Sequence, residues 1–376
     1  MKKKRVLIVV NYFYPYVSGV SEYTRNLARE LSKQYDVTVL TGKHRADLPQ
    51  MEDFEGYTII RSEPLFFLDK GYVSFDFIRK FRALSSQVDI VNLHLPMLEC
   101  GLFGILTNKP LIVTYQCDLA IVGSLLSRIA VVCVRLSMRF ALKRSDTIVV
   151  LSQDYASESK LLEGLEAKIV EVAPPNRFEK MPYSLTKTTN DRPLICGFVG
   201  RFVREKGIET IIQAAKVLRG EGFHFWLAGD YEGVAGGSIY NEIKNDIASL
   251  GENIRLLGKL SDEELINFYK EIDILLLPST NRYEAFGMVQ LEAMTFGAIP
   301  VTSNMPGVRE AILKTAIGQL CEPASSTSLI DAIRRAQGER RRASRDDVRG
   351  LVLRKFSNIK FEETYVAIVE KLLTKV

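Results

Sequence analysis

Segment 283–294 carries two carboxylates, Glu284 and Glu292, on either side of a Phe-Gly turn in the sequence YEAFGMVQLEAM. The apolar run 274–277 upstream predicts a buried strand, and the residues after the turn predict a helix. A helix that begins beyond the carboxyl end of a strand in an open α/β sheet points its free N–H groups at a bound anion. We therefore expect the two carboxylates to contact different parts of one bound molecule. The alternative is a surface Glu and an ordinary helix Glu.

A second charged segment, 200–207, follows another predicted strand and has the sequence GRFVREKG. Arg201 comes directly after the strand, and Lys206 stands where the next predicted helix begins. Arg offers a planar fork of donors and Lys a point charge, so the two cations can hold a diphosphate between them. The alternative is a solvated charged loop. Because both segments lie at the same edge of one predicted sheet, we favour the diphosphate site.

The composition is typical of a soluble globular enzyme, with 47% apolar and 25% charged residues in a chain of 376. That length predicts two domains of ordinary size. The net charge of +5 agrees with an anionic ligand but does not identify one. Five scattered cysteines and three widely separated histidines indicate reduced thiols and no metal site. We expect a cytoplasmic protein.

Short strands rich in β-branched residues alternate with helical patterns, which predicts an α/β fold with mostly parallel, doubly wound sheets. A polar stretch at 174–193 interrupts the alternation, and a second series of the same design follows it. We predict a first domain over 1–175 and a second over 190–358. The last apolar helix, about 360–376, has no assigned partner, and packing on the first domain is one option. The predicted strands are 6–10, 37–40, 90–93, 111–114, 147–150, 169–172, 194–200, 223–228, 254–257, 274–277 and 299–302.

Neither predicted sheet carries the signature of a dinucleotide site. A GxGxxG fingerprint follows a strand directly and opens a helix, whereas the loop after the first strand has a single glycine, Gly19. The glycines around 233–237 do not match the fingerprint either. A Walker A sequence is also absent from the chain. These patterns argue against a nicotinamide dehydrogenase and against a P-loop kinase.

The pair of motifs, GRFVREKG and EAFGMVQLEAM, resembles the retaining GT-B glycosyltransferases, and among them family four, which includes mannosyl-, glucosyl- and N-acetylglucosaminyltransferases. The similarity extends over nearly the whole chain and includes the first loop at 18–23, the segment 93–96 and the segment 299–304. It implies the GT-B fold, in which two doubly wound Rossmann-like domains face a central cleft. It also implies a nucleoside-diphosphate sugar, either UDP- or GDP-linked, as the donor.

The resemblance assigns a role to each residue of the second-domain motifs. Arg201 and Lys206 would hold the donor diphosphate, and Glu292 would accept the ribose hydroxyls. Glu284 would read the hydroxyls of the transferred sugar, since a carboxylate is an acceptor-only group suited to paired hydroxyls. It would act together with the backbone that follows the turn, at Phe286, Gly287, Met288 and Val289.

Three further positions acquire donor-binding roles from the same resemblance. Gly19 would let the loop of the first domain approach the diphosphate, because glycine has no Cβ in the way. Main-chain atoms around Leu260, in segment 258–260, would meet the base. Gln116 stands where relatives usually carry a histidine that faces the sugar. A Gln amide can hydrogen-bond a hydroxyl but carries no proton, so this position bears on donor choice and on activity.

The implied reaction is the retaining transfer of a hexosyl unit to an acceptor hydroxyl, with Arg201, Lys206 and Glu284 as catalytic residues. We expect no cofactor and no metal, because the two cations can stabilise the charge that builds on the leaving diphosphate. A lipid-linked glycan of cell-surface polysaccharide or glycolipid assembly is one candidate acceptor. The alternative, which Gln116 favours, is a catalytically silent relative that binds a nucleotide sugar and a partner protein.

Four cations spaced by seven, four and four positions, Arg128, Arg135, Arg139 and Lys143, predict one basic stripe on a helix beside apolar residues. Such a face can rest on anionic lipid, which makes peripheral attachment to the cytoplasmic membrane one hypothesis. The alternative is a core helix with one solvated side. No aromatic RNA-binding motif accompanies the basic residues, so we expect no nucleic-acid partner.

Overall fold

The computed structural model describes residues 3–68, 71–119, 125–181, 192–232 and 237–374. The chain divides into two compact units. The first unit comprises Met1–Pro175 together with Asn358–Val376, and the second comprises Asn176–Ser357. Residues 182–191 of the expected linker lie outside the described residues, and so do residues 233–236 of the second glycine-rich segment.

The first unit is built on an eight-stranded sheet with the strand order β10-β9-β8-β7-β1-β2-β4-β3. Neighbouring strands are parallel except for β3, which pairs antiparallel with β4 at the edge. A separate antiparallel hairpin consists of β5 and β6. The strands are β1 Arg5–Val9, β2 Asp36–Gly42, β3 Met51–Phe54, β4 Tyr57–Ser62, β5 Phe66–Leu68, β6 Gly71–Val73, β7 Ile90–Leu95, β8 Leu111–Tyr115, β9 Thr147–Val150 and β10 Ile169–Glu171.

Helices connect the parallel strands of this sheet. Strands β7 and β8 are buried along their whole length, as expected for a parallel sheet that is covered on both faces. The first helix is capped by Ser18, whose side chain accepts a hydrogen bond from the backbone N–H of Ser21 in a capping box. The helices are α1 Gly19–Ser32, α2 Phe75–Ser85, α3 Cys100–Leu106, α4 Leu125–Arg144 and α5 Gln153–Ser157, with a 3₁₀ turn at Glu166–Lys168.

The second unit contains a six-stranded, fully parallel sheet with the order β13-β12-β11-β14-β15-β16. Strands β14 and β15 are wholly buried, and β14 consists only of apolar residues. The strands are β11 Leu194–Val199, β12 Phe223–Ala228, β13 Ile254–Gly258, β14 Ile274–Leu277, β15 Ile299–Ser303 and β16 Gln319–Cys321.

Capping side chains set the starts of several helices in this unit. Ser261 and Glu264 form a capping box, and Ser344 and Asp347 form another at a later helix. The helices are α6 Ile208–Val217, α7 Tyr240–Leu250, α8 Asp262–Glu271, α9 Met288–Thr295, α10 Glu310–Thr315, α11 Ser326–Arg342 and α12 Arg345–Lys355, with 3₁₀ turns at Arg204–Lys206 and Gly251–Asn253.

The C-terminal helix, α13 Asn358–Leu373, returns to the first unit and packs against α1 and β7. Its buried Tyr365 hydroxyl lies 2.8 Å from the Thr114 hydroxyl on β8, and the Phe361 ring meets Tyr23 of α1 edge-on. Burial of these aromatic rings accounts for the return of the chain. Among the helices of the described residues, none combines the length and the apolar character that a membrane crossing requires.

Strand order gives each sheet one point where the direction of winding reverses. In the first unit the reversal lies between β1 and β7, and in the second it lies between β11 and β14. The loops that follow these paired strands diverge there and leave a crevice at the carboxyl edge, which is where open α/β sheets bind ligands. These two reversal points are the places to look for a site.

Candidate functional site

The reversal point of the second unit lies between the loop after β11 and the loop after β14. The first loop contains Arg201 and Lys206, and the second contains Glu284. Gly207, the N-cap residue of α6, has a positive φ of +69°, and a Cβ there would lie 2.1 Å from the carbonyl oxygen of Pro278. Glycine is therefore required for the two loops to approach each other this closely.

The two loops are joined by a pair of opposite charges. The Lys206 ammonium donates a hydrogen bond to the Glu284 carboxylate, and both side chains are largely buried. Ser279 at the end of β14 donates to the same carboxylate oxygen over 3.3 Å. The backbone N–H of Thr280 also donates to the carbonyl of Glu205 over 2.9 Å. The structure thus brings together two of the predicted residues from different motifs.

Arg201 lies two residues beyond β11 in the same loop as Lys206. Its side chain is about two-fifths exposed and lies 3.9 Å from Glu205. The Lys206 ammonium, in contrast, is paired with Glu284. The loop therefore carries one partly exposed cation and one that is held by a carboxylate of the neighbouring loop.

The glycine turn after Glu284 is buried and is held by a ring contact and by side-chain hydrogen bonds within the second unit. Gly287 has a φ of +77°, and Phe286 packs its ring edge-on against Phe356. The fully buried Gln290 donates to the carbonyls of Phe286 and Val308, the latter over 3.0 Å. Since α9 begins at Met288, the N–H groups of Met288 and Val289 have no acceptor within their own helix, whereas that of Gln290 donates to the carbonyl of Gly287 over 3.0 Å. The turn thus places the N-terminal end of α9 directly after Glu284.

Glu292 lies in the second turn of α9 and is held by two side chains. The Tyr269 hydroxyl donates to one carboxylate oxygen over 2.7 Å, and Nε of Arg177 donates to the other over 2.9 Å. Burial and the neighbouring Glu292 carboxylate raise the pKa of Tyr269 well above its ordinary value, so the phenol stays a donor. A carboxylate has about four lone-pair sites, which leaves two for a ligand's hydroxyls.

Arg177 is itself fixed on three sides. Its NH1 donates to Asp262 over 3.0 Å, and its guanidinium lies 4.6 Å from the centroid of the Phe178 ring. Sequence analysis missed this residue and also Tyr269, Ser279 and Gln290. The motif spacing names Glu292 but gives no indication of an arginine that precedes it by 115 positions in the chain.

A pocket of ≈ 150 Å³ lies at the carboxyl ends of β12 and β13, beside the reversal point. It is lined by residues 229–232 after the first of these strands and by Gly258 and Lys259 at the end of the second. The prediction had named segment 258–260 but not 229–232. Leu260 itself packs its side chain against the core of the unit, as does Val289, so either residue can offer only its backbone to a ligand.

The reversal point of the first unit has a different character. His94, at the end of β7, is fully buried, and its Nδ1 lies 3.0 Å from the Thr24 hydroxyl and 2.8 Å from Nε2 of Gln116. Burial lowers the pKa of His94 to about 3, so the ring is neutral. Gln116 is only 4% exposed, and its amide nitrogen is occupied by the histidine.

Gly19 is exposed and is the first residue of α1, directly after the Ser18 cap, rather than a residue of the preceding loop. It therefore stands at a helix N-terminus at the carboxyl edge of the first sheet. For the described part of the chain, no three His, Cys, Asp or Glu side chains gather in a way that could hold a metal ion.

Two protein-family models match the chain, one on each unit. Glycosyltransferase Family 4 matches residues 17–175, and Glycosyl transferases group 1 matches residues 185–347. Among curated proteins, an uncharacterized glycosyltransferase of Methanocaldococcus jannaschii is 24% identical over 87% of this chain and 87% of its own length. The D-rhamnosyltransferase WbpZ of Pseudomonas aeruginosa is 26% identical over 68% of this chain and 66% of its own.

Solved structures agree with the fold. Sucrose-phosphate synthase of Thermosynechococcus elongatus superposes with a TM-score of 0.81 at 19% identity over 100% of both chains. HepE of Anabaena, in complex with UDP and glucose, gives 0.72 at 15% identity over 98% of this chain and 100% of its own. With one family model on each unit and these neighbours, the chain belongs to the group 1, family 4 glycosyltransferases and has the GT-B fold.

Proposed function

We propose that this glycosyltransferase moves a hexosyl unit, with retention, from a UDP- or GDP-sugar to an acceptor hydroxyl. The observation that carries the proposal is the contact between Lys206 and Glu284 across the reversal point of the second unit. It places a cation for the diphosphate next to a carboxylate for the sugar hydroxyls, at the edge where open α/β sheets bind ligands.

The donor's diphosphate would take Lys206 from Glu284 and would also contact the partly exposed Arg201. Both cations would then contact phosphate oxygens, and Glu284 would be released to accept from the hydroxyls of the sugar. The N–H groups at Phe286, Gly287 and Met288 add donors at the start of α9. The ion pair between Lys206 and Glu284 would keep both charges in position until the substrate replaces the contact.

The nucleoside would occupy the neighbouring positions on the same edge. The two free acceptor positions of Glu292 fit the paired hydroxyls of a ribose, and the pocket formed by 229–232, Gly258 and Lys259 is suited to the base. HepE of Anabaena, which shares the fold, was solved with UDP and glucose. This supports a nucleoside diphosphate sugar as the class of donor.

For the chemical step, we propose that the leaving diphosphate oxygen takes the acceptor's proton on the face from which the diphosphate departs. The protein then needs mainly to stabilise the negative charge that builds on that oxygen. Arg201 and Lys206 would provide the compensating positive charge without a metal ion or a cofactor. Insensitivity of turnover to EDTA, together with an α-configured product from an α-linked donor by proton NMR, is the expected result. An inverted product would overturn the mechanism.

For the acceptor, we propose a hydroxyl of a glycan in cell-surface polysaccharide or glycolipid assembly, with a lipid-linked glycan as the specific candidate. Support comes from two further similar proteins, a lipopolysaccharide 1,2-N-acetylglucosaminetransferase of Salmonella typhimurium and the capsular polysaccharide biosynthesis glycosyltransferase CapM of Staphylococcus aureus, which are 32% and 27% identical over 43% and 41% of this chain. Retention of product by a hydrophobic resin after transfer to a lipid-extracted acceptor pool would test this. Transfer only to water-soluble sugars would exclude the lipid-linked acceptor.

A panel of UDP-, GDP- and ADP-sugars tests the donor site directly, by thermal shift and by slow hydrolysis. We expect one nucleotide family to stabilise the protein and to be hydrolysed. Stabilisation should be lost in Glu292→Ala and kept in Glu252→Ala, which changes an exposed carboxylate of the same unit. Stabilisation without hydrolysis or transfer would indicate the silent nucleotide-sugar binder instead. No stabilisation by any donor would overturn the site.

A further inference from the structure

We infer that the outer face formed by helices α3 and α4 of the first unit docks onto an anionic lipid surface. The inference extends the proposed function, because it places the enzyme where a lipid-linked acceptor would be found. It depends on side chains that the donor site does not use. We call this surface the α3–α4 face, and its apolar part consists of Leu98, Leu102, Ile105, Ile129, Val132, Leu136 and Phe140.

Exposed apolar side chains form a continuous row along α4. Ile129, Val132, Leu136 and Phe140 follow one another at intervals of three and four residues, so they share one face of the helix. Leu136 and Phe140 are 57% and 63% exposed. The opposite side of the helix supplies Met138, Ala141 and Leu142 to the core of the unit. The helix therefore has two apolar sides, and only one of them is covered.

Helix α3 widens this row on one side. The two helices are in close contact, and the Ser137 hydroxyl is hydrogen-bonded to the N–H of Gly101 over 2.9 Å. Leu102 and Ile105 on α3 are exposed next to this contact, and Ile105 is 71% exposed. Monomeric proteins rarely leave a contiguous apolar surface of several side chains open to water, so a surface of this kind marks an interaction site.

Basic residues border the row on its other side. Arg128, Arg135, Arg139 and Lys143 recur at helical spacing and fall on the flank of α4 next to Val132 and Leu136. Neither helix contains a single Asp or Glu in its sequence. An apolar strip bordered by cations, with no acidic residue in either helix, matches the interface of an anionic bilayer, where acyl chains lie beneath negative headgroups.

The direction of the helices relates this face to the sheet. Because α4 connects the parallel strands β8 and β9, it runs antiparallel to them and starts near the carboxyl edge of the sheet. The helix has 20 residues and so extends for about 30 Å. The end with Arg128 and Ile129 is thus the end nearer to the edge where Gln116 lies. A bilayer on this face would lie beside that edge.

Flotation of the full-length protein with vesicles tests the inference. The probes are vesicles of phosphatidylcholine alone and of phosphatidylcholine mixed with phosphatidylglycerol. We expect binding to the anionic vesicles, little binding to the neutral ones, and a decrease with salt as screening shortens the range of the charges. Arg135→Glu combined with Arg139→Glu should reduce binding roughly 10-fold or more, because each basic residue near such a surface contributes about 1 kcal/mol.

The apolar part has its own variant and both variants have matched controls. Leu136→Ser combined with Phe140→Ser should also release the protein, because it removes the side chains that would enter the interface. Arg341→Glu with Arg342→Glu, on an exposed helix end of the second unit, and Leu313→Ser, at an exposed apolar position there, should bind like the wild type. Stabilisation by a donor nucleotide in every variant would show that each is folded and that the donor site is separate.

Two results would overturn the inference. Equal flotation of wild type and both face variants would exclude this face as the docking surface. The second result is a wild type that does not bind vesicles and sediments as a dimer, together with a Leu136→Ser, Phe140→Ser variant that sediments as a monomer. It would identify the face as a contact between two copies of the chain. Either result leaves the donor-nucleotide assay unaffected, so failure of the lipid inference is distinguishable from failure of the proposed function.

Discussion

The two reversal points of this chain have the same topology but differ in the charge of the side chains that occupy them. In the second unit, the crevice is spanned by the ion pair between Lys206 and Glu284, with Arg201 exposed beside it. In the first unit, the corresponding place is occupied by neutral groups, with His94 between Thr24 and Gln116. The reversal point of the second sheet thus presents charged side chains, whereas that of the first presents neutral ones.

We relate this difference in charge to the ligand that the proposed function assigns to each edge. A diphosphate needs fixed positive charge, and fixed charge in a partly buried place needs a counter-charge until the ligand arrives. Sugar hydroxyls need only donors and acceptors, which neutral amides and hydroxyls provide at lower desolvation cost. In the proposed function, the second unit would therefore provide the phosphate-binding edge and the first a hydroxyl-binding edge.

Removing one cation from the reversal point of the second unit should have the largest effect on turnover. We expect Arg201→Ala or Lys206→Ala to lower turnover roughly 10²–10³-fold, the usual scale for one lost transition-state donor. The measurement is the single-turnover rate of transfer or of donor hydrolysis with saturating donor.

Arg204→Ala is the matched control in the same loop. Its guanidinium is two-thirds exposed and forms surface ion pairs with Glu209 and Glu242, which contribute little. Its rate should stay close to that of the wild type. Wild-type turnover in both Arg201→Ala and Lys206→Ala would refute the assignment of charge to this edge.

The next effect concerns the arginine that holds Glu292. We expect Arg177→Ala to raise the KM for the donor about 10-fold while kcat changes less, because a hydrogen bond to a charged group is worth roughly 1.5–3 kcal/mol and the carboxylate loses its orientation. Asp262→Ala serves as control, since that carboxylate pairs with Arg177 but is 72% exposed, so the pair contributes little. A variant in which kcat falls and KM does not would place Arg177 in the chemical step instead.

Parts of the fold could be predicted from the sequence because parallel strands are continuous apolar runs. The run 274–277 was predicted as a strand, and β14 occupies the same residues. The predicted strand 194–200 corresponds to β11, which ends one residue earlier, at Val199. The edge pair β3 and β4 was missed, because Met51–Phe54 is short, polar and partly exposed, and its strand character comes from pairing with its neighbour.

The residues of the candidate site show the same contrast between local patterns, which the sequence reveals, and long-range contacts, which it does not. Local spacing gave Glu284, Glu292, Arg201 and Lys206, because one loop or one helix turn positions each of them. The partners of these residues come from distant parts of the chain, and only packing reveals them. The environment of Gln116 is an example, since nothing near it in sequence indicates that His94 occupies its amide nitrogen.

A third prediction tests the neutrality of the first unit. Burial lowers the pKa of His94 from 6.5 to about 3, so the unfolded chain binds a proton between these pH values and the folded chain does not. The wild type should therefore lose stability on acidification below pH 6.5, by at most about 1.4 kcal/mol per pH unit from this residue. His94→Gln should lose less on acidification, as measured by urea unfolding along a pH series. An unchanged slope in the variant would show that His94 is charged or solvated in the folded protein.

The smallest effect concerns Glu99 in the same unit. Its contribution to the pH dependence of stability has the opposite sign to that of His94. Burial raises the pKa of Glu99 from 4.5 to about 7, so the folded protein holds a proton that the unfolded chain releases between these pH values. This carboxyl therefore costs stability as the pH rises from 4.5 to 7, over a narrower window than that of His94. We expect Glu99→Gln to unfold at a higher urea concentration than the wild type above pH 7 and at a similar one near pH 4.5. In the wild type the two residues oppose each other, so their slopes should separate only in the single variants. If Glu99→Gln were less stable above pH 7, the buried carboxylate would be compensated by a cation, and the first unit would not be the neutral half of the comparison.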